Sequence, residues 1–260
     1  MKHSIGTVEG IWPFEILGVN ENIANLKGEY HASYNPALAL NTEEDIWLYG
    51  GIKTYSTTAD IDTLTSSNAN DTVDIVIEGL DENWDAVTQT ATLNGQTDVP
   101  LTTPLIRVNA MYNDSGTALV GNVYLFVHGE TSGGVPTTAT TIRRYIAIGY
   151  DRSLQSHISI PRYHVGVVTG LCYSIGGKKA GYTTFKFYKR AFGKVWLTED
   201  PRDLGTTGTS SVDCHLPVPI ILSPKSDFRV TANTSTADIT GSAAISYWKF
   251  PSFGGLHDGS

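Results

Sequence analysis

The sequence predicts an all-β protein, and three observations carry that prediction. Apolar residues make up 40% of the 260 and charged residues only 17%, with 26 glycines, a balance met where turns are frequent and charges sparse. Alternating apolar runs recur with turn punctuation every eight to twelve residues or so, the rhythm of a sandwich or barrel. Helical periodicity is nearly absent, since no long window keeps an i, i+3, i+4, i+7 apolar pattern. A chain of this length favours two domains. The fold expected is two β-sandwich, jelly-roll-like domains behind an extended amino-terminal arm.

Residues 1–40 hold scattered aromatics and asparagines, with Pro13 and Pro36 and no periodic pattern. They read as an arm that needs a surface to lie on, either this subunit's or a neighbour's. The nearest approach to a helix is Asn41 to Trp47, where Asn41 or Thr42 would cap a single turn with Glu43, Glu44 and Asp45 in its first positions, ended by Gly50-Gly51.

Strands are expected at Thr72 to Glu78, Asp85 to Leu93, Ile106 to Tyr112, Asn122 to His128, Thr141 to Tyr150 and Leu154 to Ile160. Later ones are expected at Val165 to Ile175, Thr183 to Lys189, Lys194 to Leu197, Val218 to Leu222, Asp227 to Ala232 and Ala243 to Phe250. Asn94-Gly95 signals a type I′ turn with both residues at positive φ. Pro100 and Pro104 make Leu101 to Thr103 a poor central strand, and Pro217, Pro219 and Pro224 mark an edge or a connection. A loop from Gly129 to Thr140 precedes the strand that closes the first domain, which gives an arm over 1–40, an acidic domain over 41–150 and a basic one over 151–260.

Charge divides the same way. Residues 1–130 hold 18 Asp/Glu against 4 Lys/Arg and residues 131–260 hold 8 against 14, so the halves carry −14 and +6. Such a chain packs half against half or shows two differently charged faces to partners. The acidic half argues against nucleic acid as a main ligand. Lys178-Lys179 and Lys186 to Arg190 are weighed as a phosphate-contacting cluster, but alternating Phe185-Lys186-Phe187 is also what one half-buried strand looks like. No run of about 18 apolar residues occurs and the amino terminus lacks an apolar signal core, so the expectation is synthesis in a cytoplasm without a membrane span. Cys172 and Cys214, the only cysteines, read as buried thiols in a reducing compartment.

The densest group of chemical side chains is Ile77 to Asp85, four carboxylates and a tryptophan in nine residues. Asp81, Glu82 and Asp85 supply acids at poor spacing for a calcium loop, with no closing glutamate. Nothing in the spacing sets two carboxyls across a cleft as glycosidase chemistry requires. The turn reading is preferred: Gly79 permits the bend, Asp81 and Asn83 suit the turn and Trp84 pins the following strand to the core. The seven histidines, at 3, 31, 128, 157, 164, 215 and 257, show no metal-ligand spacing, and zinc through Cys172, Cys214 and His215 is disfavoured because adjacent strand residues face opposite ways. There is no nucleophile elbow, and Gly176 to Lys179 is not a phosphate-binding loop. No catalytic, cofactor-binding or metal residue is assigned, and no cofactor is expected.

The ordered set of motifs carries a resemblance. The run Thr72-Val73-x-Ile75-x-Ile77-x-Gly79-Leu80-Asp81-x-Asn83-Trp84, followed by Leu93-Asn94-Gly95 and Leu105 to Asn109, resembles virion structural proteins of tailed bacteriophages. Ser153-Leu154-Gln155-Ser156-x-Ile158-x-Ile160-Pro161, Phe192 to Trp196 and Pro217 to Val230 are similar to that family's later strands, so the resemblance covers roughly residues 30–250. It departs at Ala86, often acidic in the family, and in a longer amino-terminal region. It implies a non-enzymatic virion component, a decoration or cement protein bound to the major capsid protein or other virion proteins, homo-oligomeric with a trimer as one option. The competing reading is a tail, neck or fibre module that binds host glycan. It requires an exposed groove lined by rings such as Trp47, Trp84 or Trp196, whereas the cement reading requires those rings buried.

Overall fold

In the computed structural model, residues 27–206 and 208–252 are described. Among them the chain is almost wholly β: no α-helix occurs, and a lone 3-10 turn spans Ala139–Thr141. The chain opens with β1 (Lys27–Leu38) and the short β2 (Glu44–Asp45). It then lays down β3 (Ile61–Ser66), β4 (Asp74–Leu80), β5 (Ala86–Thr92), β6 (Val99–Leu105), β7 (Arg107–Asn113), β8 (Val123–Val127), the small hairpin β9 (Thr131–Ser132) and β10 (Val135–Pro136), and β11 (Ile142–Ile146). The remainder is β12 (Ile158–Ser159), β13 (His164–Gly176), β14 (Gly181–Ala191), β15 (Leu197–Thr206), β16 (Thr209–Leu222), β17 (Ser226–Thr234) and β18 (Ile239–Pro251).

These strands form two packed pairs of sheets. In one, the sheet β11-β8-β3-β6 faces β5-β4-β7; in the other, β1-β18-β13-β16 faces β12-β17-β14-β15, with β2 beside β17. Period-two alternation decides which side chains enter each core. Along β14, Phe185 and Phe187 point in and Lys186 points out; along β4, Ile75 and Ile77 point in. The second core is aromatic, with Tyr173 stacked on Phe185 at 5.0 Å and Phe228 meeting Tyr247 edge-on at 5.6 Å. The first is aliphatic, built on Ile75, Ile77, Leu64, Val123 and Leu125. Strand β8 is buried on both faces, because the segment after β2 lays Trp47 over Tyr124 and Phe126.

Several expectations are corrected. Residues 1–26 of the arm lie outside the described residues, but residues 27–38 are β1, paired along its length with β18 at registers such as Tyr30 to Ser246 and Ala32 to Ala244. Leu38 and Ile46 enter the core shared with β13 to β18, so the start of the expected acidic domain packs with the basic one. No helical turn forms at Asn41 to Trp47: Asn41 takes φ 53°, and Glu44 and Asp45 pair with Ala232 and Thr231. Of the expected strand Leu154 to Ile160 only Ile158–Ser159 is regular. At Asn94-Gly95 only Gly95 has positive φ, 58°, and a Cβ there would meet the Ala69 carbonyl oxygen at 2.5 Å.

The prolines lie where a missing N–H does least harm. Strand β6, with Pro100 and Pro104, is the edge of its sheet, and β16 is the edge of another. There the ladder to β13 breaks between Val168 and Gly170, and Leu216 to Pro219 bulge out of register.

Candidate functional site

The turn after β4 is a joint between the two pairs of sheets. Asp81 Oδ1 accepts the amides of Asn83 at 2.8 Å and Asp85 at 2.9 Å, while the amides of Trp84 and Asp81 donate to the carbonyls of Asp81 and Asp85 at 3.0 Å. The carboxylate of Asp81 is thus consumed by its own turn. Asp85 receives both Nε and Nη2 of Arg162 at 2.5 Å. Trp84, at φ 65° and 2% exposed, packs on Leu80 and Ile106 and meets Phe192 edge-on at 5.0 Å. Its carbonyl accepts the Arg162 amide at 2.9 Å. The ring therefore pins the turn to the loop between β14 and β15, not the following strand to its own core. Gly79 does not make the bend: it sits at a register shift between β4 and β7, where a Cβ would lie 2.4 Å from the Arg107 carbonyl oxygen.

Behind this joint runs a buried seam of charge. Arg107 donates from Nε and Nη2 to Asp227 at 2.7 and 2.9 Å, and Asp227 also accepts from Ser159 Oγ at 2.5 Å and Arg190 Nε at 3.1 Å. Burial works against the Asp227 charge, but Arg107, Ser159 and Arg190 outweigh it and hold the carboxyl below its ordinary range. Asp45 lies 3.0 Å from His157 Nε2 and 3.5 Å from Arg229, and accepts the Lys53 amide at 2.6 Å. Burial opposes its charge too, and His157 with Arg229 reverses the effect, leaving Asp45 ionised. Burial pushes the imidazole of His157 down to about 4, so at neutral pH it is uncharged.

The cations of the seam are held by more than carboxylates. Arg144, pushed down to about 9 by burial, donates to Ser153 Oγ at 2.9 Å and to the Asn109 carbonyl. Arg143 donates to Ser56 Oγ at 3.1 Å. The guanidiniums of Arg190 and Arg229 lie 4.2 and 4.5 Å from the Trp196 ring centre. Such stacking supplies attraction without a second desolvated anion.

The polarised halves do pack against each other. Asp85 with Arg162, Glu43 with Lys186, Asp45 with Arg229 and Glu29 with Lys249 each join an acid from the first half to a cation from the second. Within the basic cluster, Lys186 pairs Glu43 of the first half at 2.8 Å, whereas Lys179 pairs Asp238 of its own half at 2.7 Å.

The remaining candidates scatter. His3 and His257 lie outside the described residues. His31 contacts Glu29 at 3.3 Å, His128 contacts Thr63 at 3.4 Å, and His164 lies 3.2 Å from the Arg162 carbonyl. Cys172 is half-buried rather than buried, and it pairs in register with Asp213, while Cys214 pairs with Leu171. Among the described residues no three His, Cys, Asp or Glu side chains gather at metal-binding distance. Of the tryptophans, Trp47 is 3% exposed, Trp84 is buried, and Trp196 is half-buried between two guanidiniums.

Exposed apolar side chains collect elsewhere. Strands β15 and β16 are edges of the two facing sheets and touch each other. Near them Val195 is 76% and Val218 78% exposed, with Leu197 and Ile221 also open. Sequence reasoning marked Pro217 to Pro224 as an edge or a connection and missed the seam. The seam's local signal was charge inside apolar strand runs, as in Ile142-Arg143-Arg144-Tyr145-Ile146 and Ser226-Asp227-Phe228.

No family model and no curated protein matches the chain. Among solved structures it is similar to a chain of infectious bursal disease virus Gt strain, at 10% identity over 92% of this chain and 75% of that one, with a TM-score of 0.25. It is also similar to the VP2 subviral particle of the same virus, at 9% identity over 92% and 75% of the two chains, with a TM-score of 0.22. Likeness at that level carries no argument about fold or function.

Proposed function

We propose that this chain is a non-enzymatic structural component of a virus particle, one that decorates or cements a capsid by docking on the major capsid protein lattice. The observation that carries the reading is where the aromatic rings lie. A glycan-binding module of the kind weighed needs open tryptophan rings for sugars to stack on, and Trp47 and Trp84 are buried while half-buried Trp196 already carries the guanidiniums of Arg190 and Arg229. Unpaired strand edges with exposed Val195, Leu197, Val218 and Ile221 are the kind of surface that non-covalent docking uses. Repetition over a lattice compensates for modest single contacts.

The test is an electron-microscopy map of the whole particle. Copies of the chain at regular positions on the capsid lattice are expected. Copies confined to a tail tip, or none on the virion, would overturn the decoration reading. The amino-terminal part of the expected arm, residues 1–26, which precedes β1, supplies a second test by truncation. Weaker attachment of the truncated protein to particles is expected, and unchanged attachment would take the arm out of the mechanism.

A further inference from the structure

We propose that Lys53 and Gln155 become joined by an intramolecular isopeptide bond, formed by the chain itself inside the seam. The inference goes beyond the proposed virion role and does not depend on it. Both side chains are buried, at 6% and 2% exposure, so bulk water does not compete for either. With its amide oxygen turned toward the seam's donors, Gln155 presents that oxygen 2.8 Å from Lys53 Nζ, 3.2 Å from Arg144 Nη1 and 3.0 Å from His157 Nδ1. A nucleophile, an acyl group, a fixed cation and an imidazole therefore share one enclosed site.

The surroundings favour a reactive amine. Burial, reinforced by the guanidiniums of Arg144, Arg107 and Arg143, holds Lys53 well below the ordinary lysine range, with Asp45 opposing. That shift favours the unprotonated amine, the form whose lone pair is a nucleophile. That pair attacks Cδ of Gln155, and the carbonyl π electrons move onto the oxygen, where Arg144 stabilises the developing negative charge. As the carbonyl re-forms, the Cδ–Nε2 bond breaks. His157 Nδ1 gives its proton to the departing nitrogen, which leaves as ammonia, and takes one proton from the amine in its place. The balance is one amine and one primary amide giving one secondary amide and ammonia, with no oxidant or co-reactant.

The bond would close the chain from residue 53 to residue 155, a loop that holds the whole first pair of sheets. A cross-link over so long a loop restricts the unfolded chain, as a disulfide does.

Mass spectrometry of the intact, denatured full-length chain decides the matter. The expected result is a mass lower than the sequence mass by one ammonia, together with a branched tryptic peptide joining Lys53 to Gln155. Lys53→Arg and Gln155→Ala should each restore the unreacted mass and abolish the branched peptide. A wild-type chain at its full sequence mass overturns the proposal. So does an ammonia loss mapped elsewhere, for example a succinimide at Asn94-Gly95. Because the wild-type protein gives the decisive reading, a variant that fails to fold does not rescue the idea.

Discussion

Gly79 looks like a turn residue and serves another purpose. Its missing Cβ lets β7 approach at the register shift, where the Arg107 carbonyl oxygen stands 2.4 Å from the ideal Cβ position. Gly79→Ala should therefore destabilise by about 1–3 kcal/mol, the cost of overpacking a tight site, read from chemical denaturation. Asp227 has the opposite character, a buried anion whose two-pronged partner Arg107 is buried with it. Asp227→Asn should cost about 3–5 kcal/mol in the same measurement, because Arg107 is left buried without its counter-charge. His157 makes the pH argument. Its folded value, about 4, lies below the unfolded value of about 6.5, so as pH falls through that window the unfolded chain takes up a proton that the folded one refuses. Stability should fall by about 3 kcal/mol between those limits, and His157→Gln should flatten the slope of thermal midpoint against pH there.

At the scale of elements, β1 shows how a segment without an apolar rhythm of its own becomes ordered. It pairs antiparallel with β18, and Tyr247 of that strand donates to Glu29 Oε2 at 2.8 Å while Lys249 meets Oε1 at 2.5 Å. Removing residues 1–38 strips β1 from the sheet and opens the edge of β18, and aggregation seen by light scattering is the expected outcome. The strands legible in the sequence were those with strict alternation and turn residues at both ends, such as β4 and β14. Strand β1 was not legible because its order comes from its partner. Strand β6 was disguised by prolines that only an edge position tolerates.

For the whole molecule, the seam joins two cores that would otherwise be independent domains. Ion pairs such as Arg107 with Asp227 and Arg162 with Asp85 cross between the pairs of sheets, and Trp84 meets Phe192 at the same joint. Calorimetry should accordingly show one cooperative transition for the native chain, and Arg107→Met, which strands Asp227, should split it into two. The unequal charge of the two halves was legible from composition alone, but composition left open whether the halves pack together or face different partners. Which acid meets which base was not legible either, because partners such as Asp45 and Arg229 lie far apart in the chain. By itself the sequence determined the all-β class, most strands and the turn at Asp81 to Asp85, since alternation and turn chemistry act over a few residues. Only the tertiary structure decided that β1 closes on β18, that Trp84 is a joint, and that Lys53, Gln155 and His157 share one buried site. Strand pairing and burial are set by contacts between distant segments, and local pattern does not encode those.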